Sequence, residues 1–215
     1  MLTKYGLPQV AVIPGILVCV IAALAAVFGF RFWAIPVEVA LLALLVFSLS
    51  FFRDPRRDVI ADDSVLYSPC DGTVTGVSSE DGAIKISVFL SLFSVHINRS
   101  PCRAVVESVE YKRGSFRSAT DPESSRVNES NDIALVMSAG QAETIIVRQV
   151  SGAIARRIVC RAAPGDALGQ GERFGMIKFG SRTELIFPDS GGREVLVKPG
   201  DKVRAGLTKM VAFSG

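Results

Sequence analysis

No charge interrupts the chain from Leu7 to Phe30, a run of 24 residues, and after Arg31 a second apolar run continues to Phe52 with only Glu38 near its start. At about 1.5 Å per helical residue the first run reaches about 36 Å, more than the roughly 30 Å of a bilayer's hydrocarbon core. The second run, Val39 to Phe52, holds 14 uncharged residues, and adding Phe32 to Glu38 makes a stretch of 21 residues with Glu38 its one charge. Phe32 and Trp33 beside Arg31 suit an interfacial belt where the chain turns back. The expected element is a membrane-associated helical hairpin over residues 1–53, spanning or re-entrant. Arg53, Arg56, Arg57 and Lys4 would keep both its ends on the cytoplasmic side of the cell (inner) membrane. A signal peptide is the alternative, but the first run exceeds an ordinary signal core and a second run follows it.

Beyond residue 53 the charges nearly cancel. The whole chain has 24 Lys and Arg against 21 Asp and Glu, and Lys4, Arg31, Arg53 and Glu38 fall in the hairpin, which leaves 21 against 20. No basic stripe remains to argue for nucleic acid. Cys19, Cys70, Cys102 and Cys160 are scattered and His96 is the only histidine, a poor metal set, so no metal is expected and the thiols read as free.

After a charged linker from Asp54 to Asp63, short β-type runs alternate with turn residues. Strands are predicted over Val65–Tyr67, Thr73–Val77, Ala83–Phe89, Ala104–Tyr111, Ile133–Met137, Thr144–Val150, Met176–Phe179, Thr183–Phe187, Glu194–Val197 and Leu207–Phe213. Asp71-Gly72, Asp81-Gly82, Ser151-Gly152, Gly191-Gly192 and Pro199-Gly200 supply turns. A helix is predicted around Ser151 to Cys160 and a helical turn near Ser91 to Val95. The expected fold is mainly β, a barrel- or sandwich-like catalytic domain over residues 54–215, with the N-terminal apolar helical hairpin before it. Ser68–Val74 and Val197–Val203 resemble turns of lipoyl and biotinyl carrier half-barrels, but Thr208-Lys209-Met210 is not the lysine setting of a carrier.

Three places carry chemistry: the turn Ser68-Pro69-Cys70-Asp71-Gly72, the segment Phe89-Leu90-Ser91-Leu92-Phe93-Ser94-Val95-His96-Ile97-Asn98-Arg99-Ser100-Pro101, and Phe179-Gly180-Ser181-Arg182. Each alone is weak, since Asp-Gly and Gly-Ser are common turns and a histidine among apolar residues is commonly core. Together with Tyr111–Phe116, Asn128-Glu129, Arg148–Ile158 and Gly171–Arg182, they make the chain resemble the short form of the phosphatidylserine decarboxylase family over nearly all of its length after Arg53.

That resemblance implies a self-processing enzyme, a carboxy-lyase of phospholipid biosynthesis. Ser181 would attack the carbonyl of Gly180 and turn the peptide bond into an ester. Elimination would then leave a pyruvoyl group on residue 181, the covalent cofactor, and two subunits: β, Met1 to Gly180, and α, the 35 residues from Ser181 to Gly215. His96 is the implied base and proton donor, with Asp71 holding its tautomer. The pyruvoyl would form a Schiff base with the headgroup amine of phosphatidylserine and release carbon dioxide, leaving phosphatidylethanolamine. Arg99 and Arg182 are candidates for the lipid phosphate. Where longer relatives have a second histidine this chain has Arg99, and where they read Leu-Gly-Ser-Thr it reads Phe-Gly-Ser-Arg. The partners implied are the membrane phospholipid and the chain's own two subunits, with a homo-oligomer left open. The rival readings are an unprocessed, membrane-tethered lipid-binding protein and a lipoyl-like binding module.

Overall fold

The computed structural model describes residues 2–3, 5, 7–29, 31–121, 123–138, 143–153, 157–178 and 180–213, with the side chains of 7–10 left aside. Two compact units divide it, Met1–Pro55 and Arg56–Gly215.

In the first unit, α1 (Leu7–Phe28) and α2 (Ile35–Phe51) form a hairpin. The amide of Thr3 donates to the carbonyl of Phe52 at 2.9 Å, so the chain start and the end of α2 lie together. At the turn the rings of Phe28 and Trp33 meet edge to face with centroids 5.0 Å apart. Over Ala11–Phe28 the mean hydropathy is 2.8 and only 6 % of that stretch is buried, so α1 is long and apolar enough to cross a membrane; α2, at 17 residues, is shorter. A helix apolar on every side and exposed along its length needs an apolar surrounding.

The second unit is built on strands β1 (Val65–Tyr67), β2 (Gly72–Glu80), β3 (Ala83–Leu90), β4 (Ile97–Arg99), β5 (Ala104–Lys112), β6 (Ser130–Met137), β7 (Thr144–Val150), β8 (Ile158–Cys160), β9 (Ala167–Leu168), β10 (Arg173–Ile177), β11 (Ser181–Pro188), β12 (Arg193–Val195), β13 (Lys202–Val203) and β14 (Lys209–Phe213), with one helical turn, α3 (Ser124–Val127). Eight strands make a curled sheet in the order β13-β2-β3-β11-β7-β6-β5-β9, and two three-stranded sheets, β1-β14-β12 and β4-β10-β8, complete the unit.

Alternation decides which face is core. Val74, Ile86, Val88, Ile133, Leu135, Ile145, Val147 and Leu185 recur at every second position and pack into one buried cluster with Phe174 and Phe187. The β2–β3 hairpin closes on Asp81 and Gly82, with φ of 54° and 73°, the left-handed pair that suits a right-twisted ribbon. β11 is the exception to alternation. It lies between β3 and β7, and its outward residues Arg182 and Glu184 are buried as well.

Most predicted strands stand within a few residues of their expected ends. The helix expected over Ser151–Cys160 does not form: Ile158–Cys160 is β8, paired with Met176 and its neighbours on β10, while residues 154–156 lie outside the described set. Ser91–Val95 is a plain turn. Strand β10 runs Arg173–Ile177 rather than Met176–Phe179, and Phe179 lies outside the described residues. The short strands β4, β9 and β13 had no periodic signal, because two or three residues cannot show a period.

Candidate active site

Ser181 opens β11. It pairs with Leu90 of β3, and its neighbour Arg182 pairs with Val150 of β7, so continuing that register sets Ser151 beside Ser181 and Gly152 beside Gly180. The Ser181 hydroxyl is fully buried and has no hydrogen-bond partner among the described residues. A buried hydroxyl without a partner costs free energy; those of Ser48, Ser124 and Ser151 share that condition, and Ser181 is distinguished among them by following Gly180.

Gly180 precedes it with φ 62°, the left-handed conformation that a side chain resists. A Cβ on Gly180 would meet nothing within 4 Å, so conformation rather than space calls for glycine there. At Gly152 the demand is space: a Cβ would stand 2.1 Å from the Gly180 carbonyl oxygen. The Ser151–Gly152 backbone is fixed in turn, since Asn128 Nδ2 donates to the Ser151 carbonyl at 2.9 Å and the Ser151 amide donates to Glu129 at 2.9 Å. Gly114 lies against Asn128, where a Cβ would be 2.4 Å from its carbonyl carbon, and the Glu129 amide donates to Ser115 at 3.0 Å. The segments Tyr111–Phe116, Asn128-Glu129 and Ser151-Gly152 thus form one support behind the Gly180 carbonyl.

A chain of buried amides joins the other motifs. Asn131 Nδ2 donates to Gln149 Oε1 at 3.1 Å, Gln149 Nε2 to Asn98 Oδ1 at 2.9 Å, and Asn98 Nδ2 to Thr183 Oγ1 at 3.1 Å. All four side chains are buried, and Gly175 leaves the room, since a Cβ there would lie 3.0 Å from Gln149 Nε2. The Arg99 amide donates to the Pro69 carbonyl at 2.9 Å, which fastens β4 to the Asp71 turn.

His96 is wholly buried, and the Ile177 amide donates to its carbonyl at 3.2 Å. Its Nδ1 stands 2.9 Å from the Ser94 carbonyl oxygen. A carbonyl only accepts, so Nδ1 carries the proton and Nε2 keeps the basic lone pair in the neutral ring. The expected Asp71–His96 pair is not what the carboxylate makes. Asp71 Oδ2 accepts from Arg57 Nη2 at 2.7 Å and Oδ1 from the Ala205 amide at 2.8 Å. In this structure the Ser94 carbonyl does for the imidazole what the aspartate was expected to do.

The two candidate phosphate ligands are likewise held by carbonyls. Arg99 Nη1 donates to Gly171 at 3.0 Å, and Arg182 donates from Nε to Ala119 at 3.1 Å and from Nη2 to Asp121 at 3.2 Å. Arg182 Nη1 also lies 3.9 Å from Glu184, a carboxylate with no exposure. Burial, and then nearby Arg157, hold the Lys178 ammonium below its usual pKa. Burial pushes the Cys70 thiol well up, so it is a poor nucleophile beside Asp71. Among the described residues no group of three metal-binding side chains occurs.

The site opens through a cavity of about 320 Å³ with Gly180 in its wall, lined mainly by Phe89, Leu92, Phe93, Ala119 and Ala153, with Ser91 and Ser118. Sequence reasoning missed Ser94, Asn131, Gln149 and Thr183 as parts of the site. Ser94 and Gln149 lay in segments singled out beforehand but were given no role, because Ser94 acts through its backbone carbonyl and a polar residue on a strand, such as Gln149, gives no local sign that it faces inward.

A site of this kind, a partnerless serine after a left-handed glycine at an apolar opening, fits a self-processing proenzyme that handles an amphiphile. The family model for phosphatidylserine decarboxylase matches residues 44–210. A "Phosphatidylserine decarboxylase proenzyme" of Solibacter usitatus is 43 % identical over 188 residues, covering 87 % of each chain. One of Symbiobacterium thermophilum is 43 % identical over 195 residues, with 87 % of this chain and 88 % of the relative covered. One of Pelodictyon phaeoclathratiforme is 38 % identical over 220 residues, covering 99 % of this chain and all of the relative. The chain belongs to the phosphatidylserine decarboxylase family.

Proposed function

We propose that this chain is a proenzyme that cleaves itself between Gly180 and Ser181 and then decarboxylates phosphatidylserine to phosphatidylethanolamine and carbon dioxide. The observation that carries the reading is the buried, partnerless Ser181 hydroxyl next to a left-handed Gly180 whose carbonyl is backed by Gly152.

In the cleavage the Ser181 oxygen bonds to the Gly180 carbonyl carbon, its proton passes to a base, and the bond from that carbon to the Ser181 nitrogen breaks as the nitrogen takes up a proton. Loss of the Ser181 α-proton then expels the Gly180 carboxylate. Water replaces the nitrogen, which leaves as ammonia, and residue 181 becomes the pyruvoyl group. His96 is the base we assign, through Nε2, the ring nitrogen opposite the Nδ1 that meets the Ser94 carbonyl. Asp71 has a positioning role: by holding Arg57 and the Ala205 amide it fixes the turn whose Pro69 carbonyl receives β4.

The residues present fit a pyruvoyl group at position 181. It would sit at the head of β11 between β3 and β7, with glycine rather than a side chain behind residue 180. When formed, the group supplies an electrophilic carbonyl that captures the substrate amine and takes up the electron pair left by carbon dioxide. The burial of Ser181 and His96 limits the access of water to the site, and return of the proton to the product is the role we assign to His96. We also place the catalytic unit on the cytoplasmic face of the cell membrane, held there by α1, on the strength of the cations that follow α2.

A denaturing mass measurement tests the first step: a 35-residue fragment without a free amine is expected, and an intact chain would refute it. Ser181→Ala and His96→Ala should each leave one full-length chain. Carbon dioxide release from phosphatidylserine, abolished by borohydride in the presence of substrate, tests the second.

A further inference from the structure

A phenylalanine stands out in solvent at the mouth of the site. Phe93, at the tip of the Ser91–Val95 turn, is 76 % exposed, yet it lines the same cavity as Gly180 together with Phe89 and Leu92. A single exposed apolar residue is ordinary. One that continues outward the apolar lining of a reactive cavity is a different matter, because it extends the apolar path from the reacting atoms to the surface.

The turn that presents it is braced. The Ser94 amide donates to the Ser91 carbonyl at 2.9 Å, and the two serine hydroxyls lie 3.2 Å apart. The next link in this turn is the Ser94 carbonyl, which receives His96 Nδ1. The tip is therefore one residue from the group that sets the histidine's tautomer.

We infer that the Ser91–Val95 turn is a lipid-surface contact, in which Phe93 enters the acyl-chain boundary of a phospholipid bilayer and seats the mouth of the Gly180 cavity on it. This rests on the decarboxylase reading. A phospholipid substrate is confined to the bilayer, and its headgroup layer is only about 5–8 Å deep on each side. Its amine reaches residue 181 only if the cavity mouth meets that layer, and an aromatic ring at the mouth is the side chain that gains from lying there. A protein partner would not need to face the reactive opening, whereas the lipid must. The chain also carries its own apolar helix of spanning length, which supplies the bilayer within reach of the linker.

The test uses the full chain in phosphatidylcholine vesicles. In a Trp33→Phe background, a Phe93→Trp indole should shift to the blue and be quenched by lipids brominated along the acyl chain; an indole that stays solvent-quenched and blind to bromine overturns the proposal. Turnover is then compared on phosphatidylserine vesicles and on a short-chain phosphatidylserine kept monomeric. Phe93→Ser should lower the vesicle rate about tenfold more than the monomer rate, with Phe93→Leu restoring most of it. An equal loss on both substrates, or no loss on vesicles, also overturns it. If the unsubstituted protein releases carbon dioxide from neither substrate, the decarboxylase reading has failed, and the indole depth still decides the contact.

Discussion

The α-carbon of Gly152 is pressed against the carbonyl oxygen of Gly180, so closely that a Cβ at 152 would stand 2.1 Å from it. The pair sits where β7 and β11 leave their ladder, two residues beyond the Val150–Arg182 pair on each strand, with Ser151 and Ser181 between. Strand pairing therefore aims the bond that the proenzyme is proposed to break.

Gly152→Ala is accordingly expected to block self-cleavage. The methyl group would force the Gly180 carbonyl away from its place, and an attack that depends on alignment loses about a hundredfold or more for a displacement of about 1 Å. Denaturing mass spectrometry over time should find one full-length chain, while circular dichroism still finds the β fold. Normal cleavage would show that the close contact is incidental.

The Arg57–Asp71 pair offers a second test. Both side chains are mostly buried, at 7 % and 15 % exposure, and Arg57 Nη1 has no hydrogen-bond partner among the described residues. Asp71→Asn strands the guanidinium and should cost about 2 kcal/mol or more in stability. Adding Arg57→Met should restore most of that loss, and with it cleavage, if Asp71 acts by holding its turn. A double variant that melts normally but stays uncleaved would assign Asp71 directly to the histidine.

Asn98 carries two links of the buried amide chain, to Gln149 and to Thr183. Asn98→Ala removes the acceptor of Gln149 Nε2 and the donor to Thr183 Oγ1 where water does not reach, at an expected cost of about 2–6 kcal/mol, from about 1–3 per stranded group. Thermal melts should show the drop, and Asn98→Asp should not rescue it, because a carboxylate cannot donate to Thr183.

The outer face of the sheet predicts an acid-sensitive contribution. Burial alone would raise the Asp132 carboxyl, but Arg148, bonded to both its oxygens at 2.7 and 2.9 Å, and Lys112 at 3.2 Å bring it below its usual 3.8. The unfolded chain then binds more protons than the folded one in that range. This contribution is complete above about pH 4, where the unfolded carboxyl is ionised, and is lost as pH falls through the lower folded value. Melting temperatures at pH 7 and pH 3 should differ less for Asp132→Asn than for the unsubstituted chain. An identical pH dependence would remove Asp132 from the acid response.

Much was legible in the chain alone. The 24 uncharged residues from Leu7 to Phe30 dictate an apolar helix because nothing in water could compensate their exposure. Alternation in stretches such as Ala83–Phe89 and Thr144–Val150 dictates strands, since a period of two lays every second side chain on one face. The ordered segments around Asp71, His96 and Ser181 pointed to the family and to the bond at Gly180. What sequence could not give is which of these residues meet. The helix expected over Ser151–Cys160 yielded to β8 because β10 offered a pairing edge, a tertiary gain that local propensity does not record. Asp71 goes to Arg57 rather than to His96, and the histidine's tautomer is set by the Ser94 carbonyl, a backbone atom that no side-chain pattern reveals. Residue types fixed the chemistry available, and the pairing of β11 between β3 and β7 decided where Ser181 stands and that Gly152 backs the Gly180 carbonyl, because hydrogen bonds and close contacts depend on distances that only the folded chain defines.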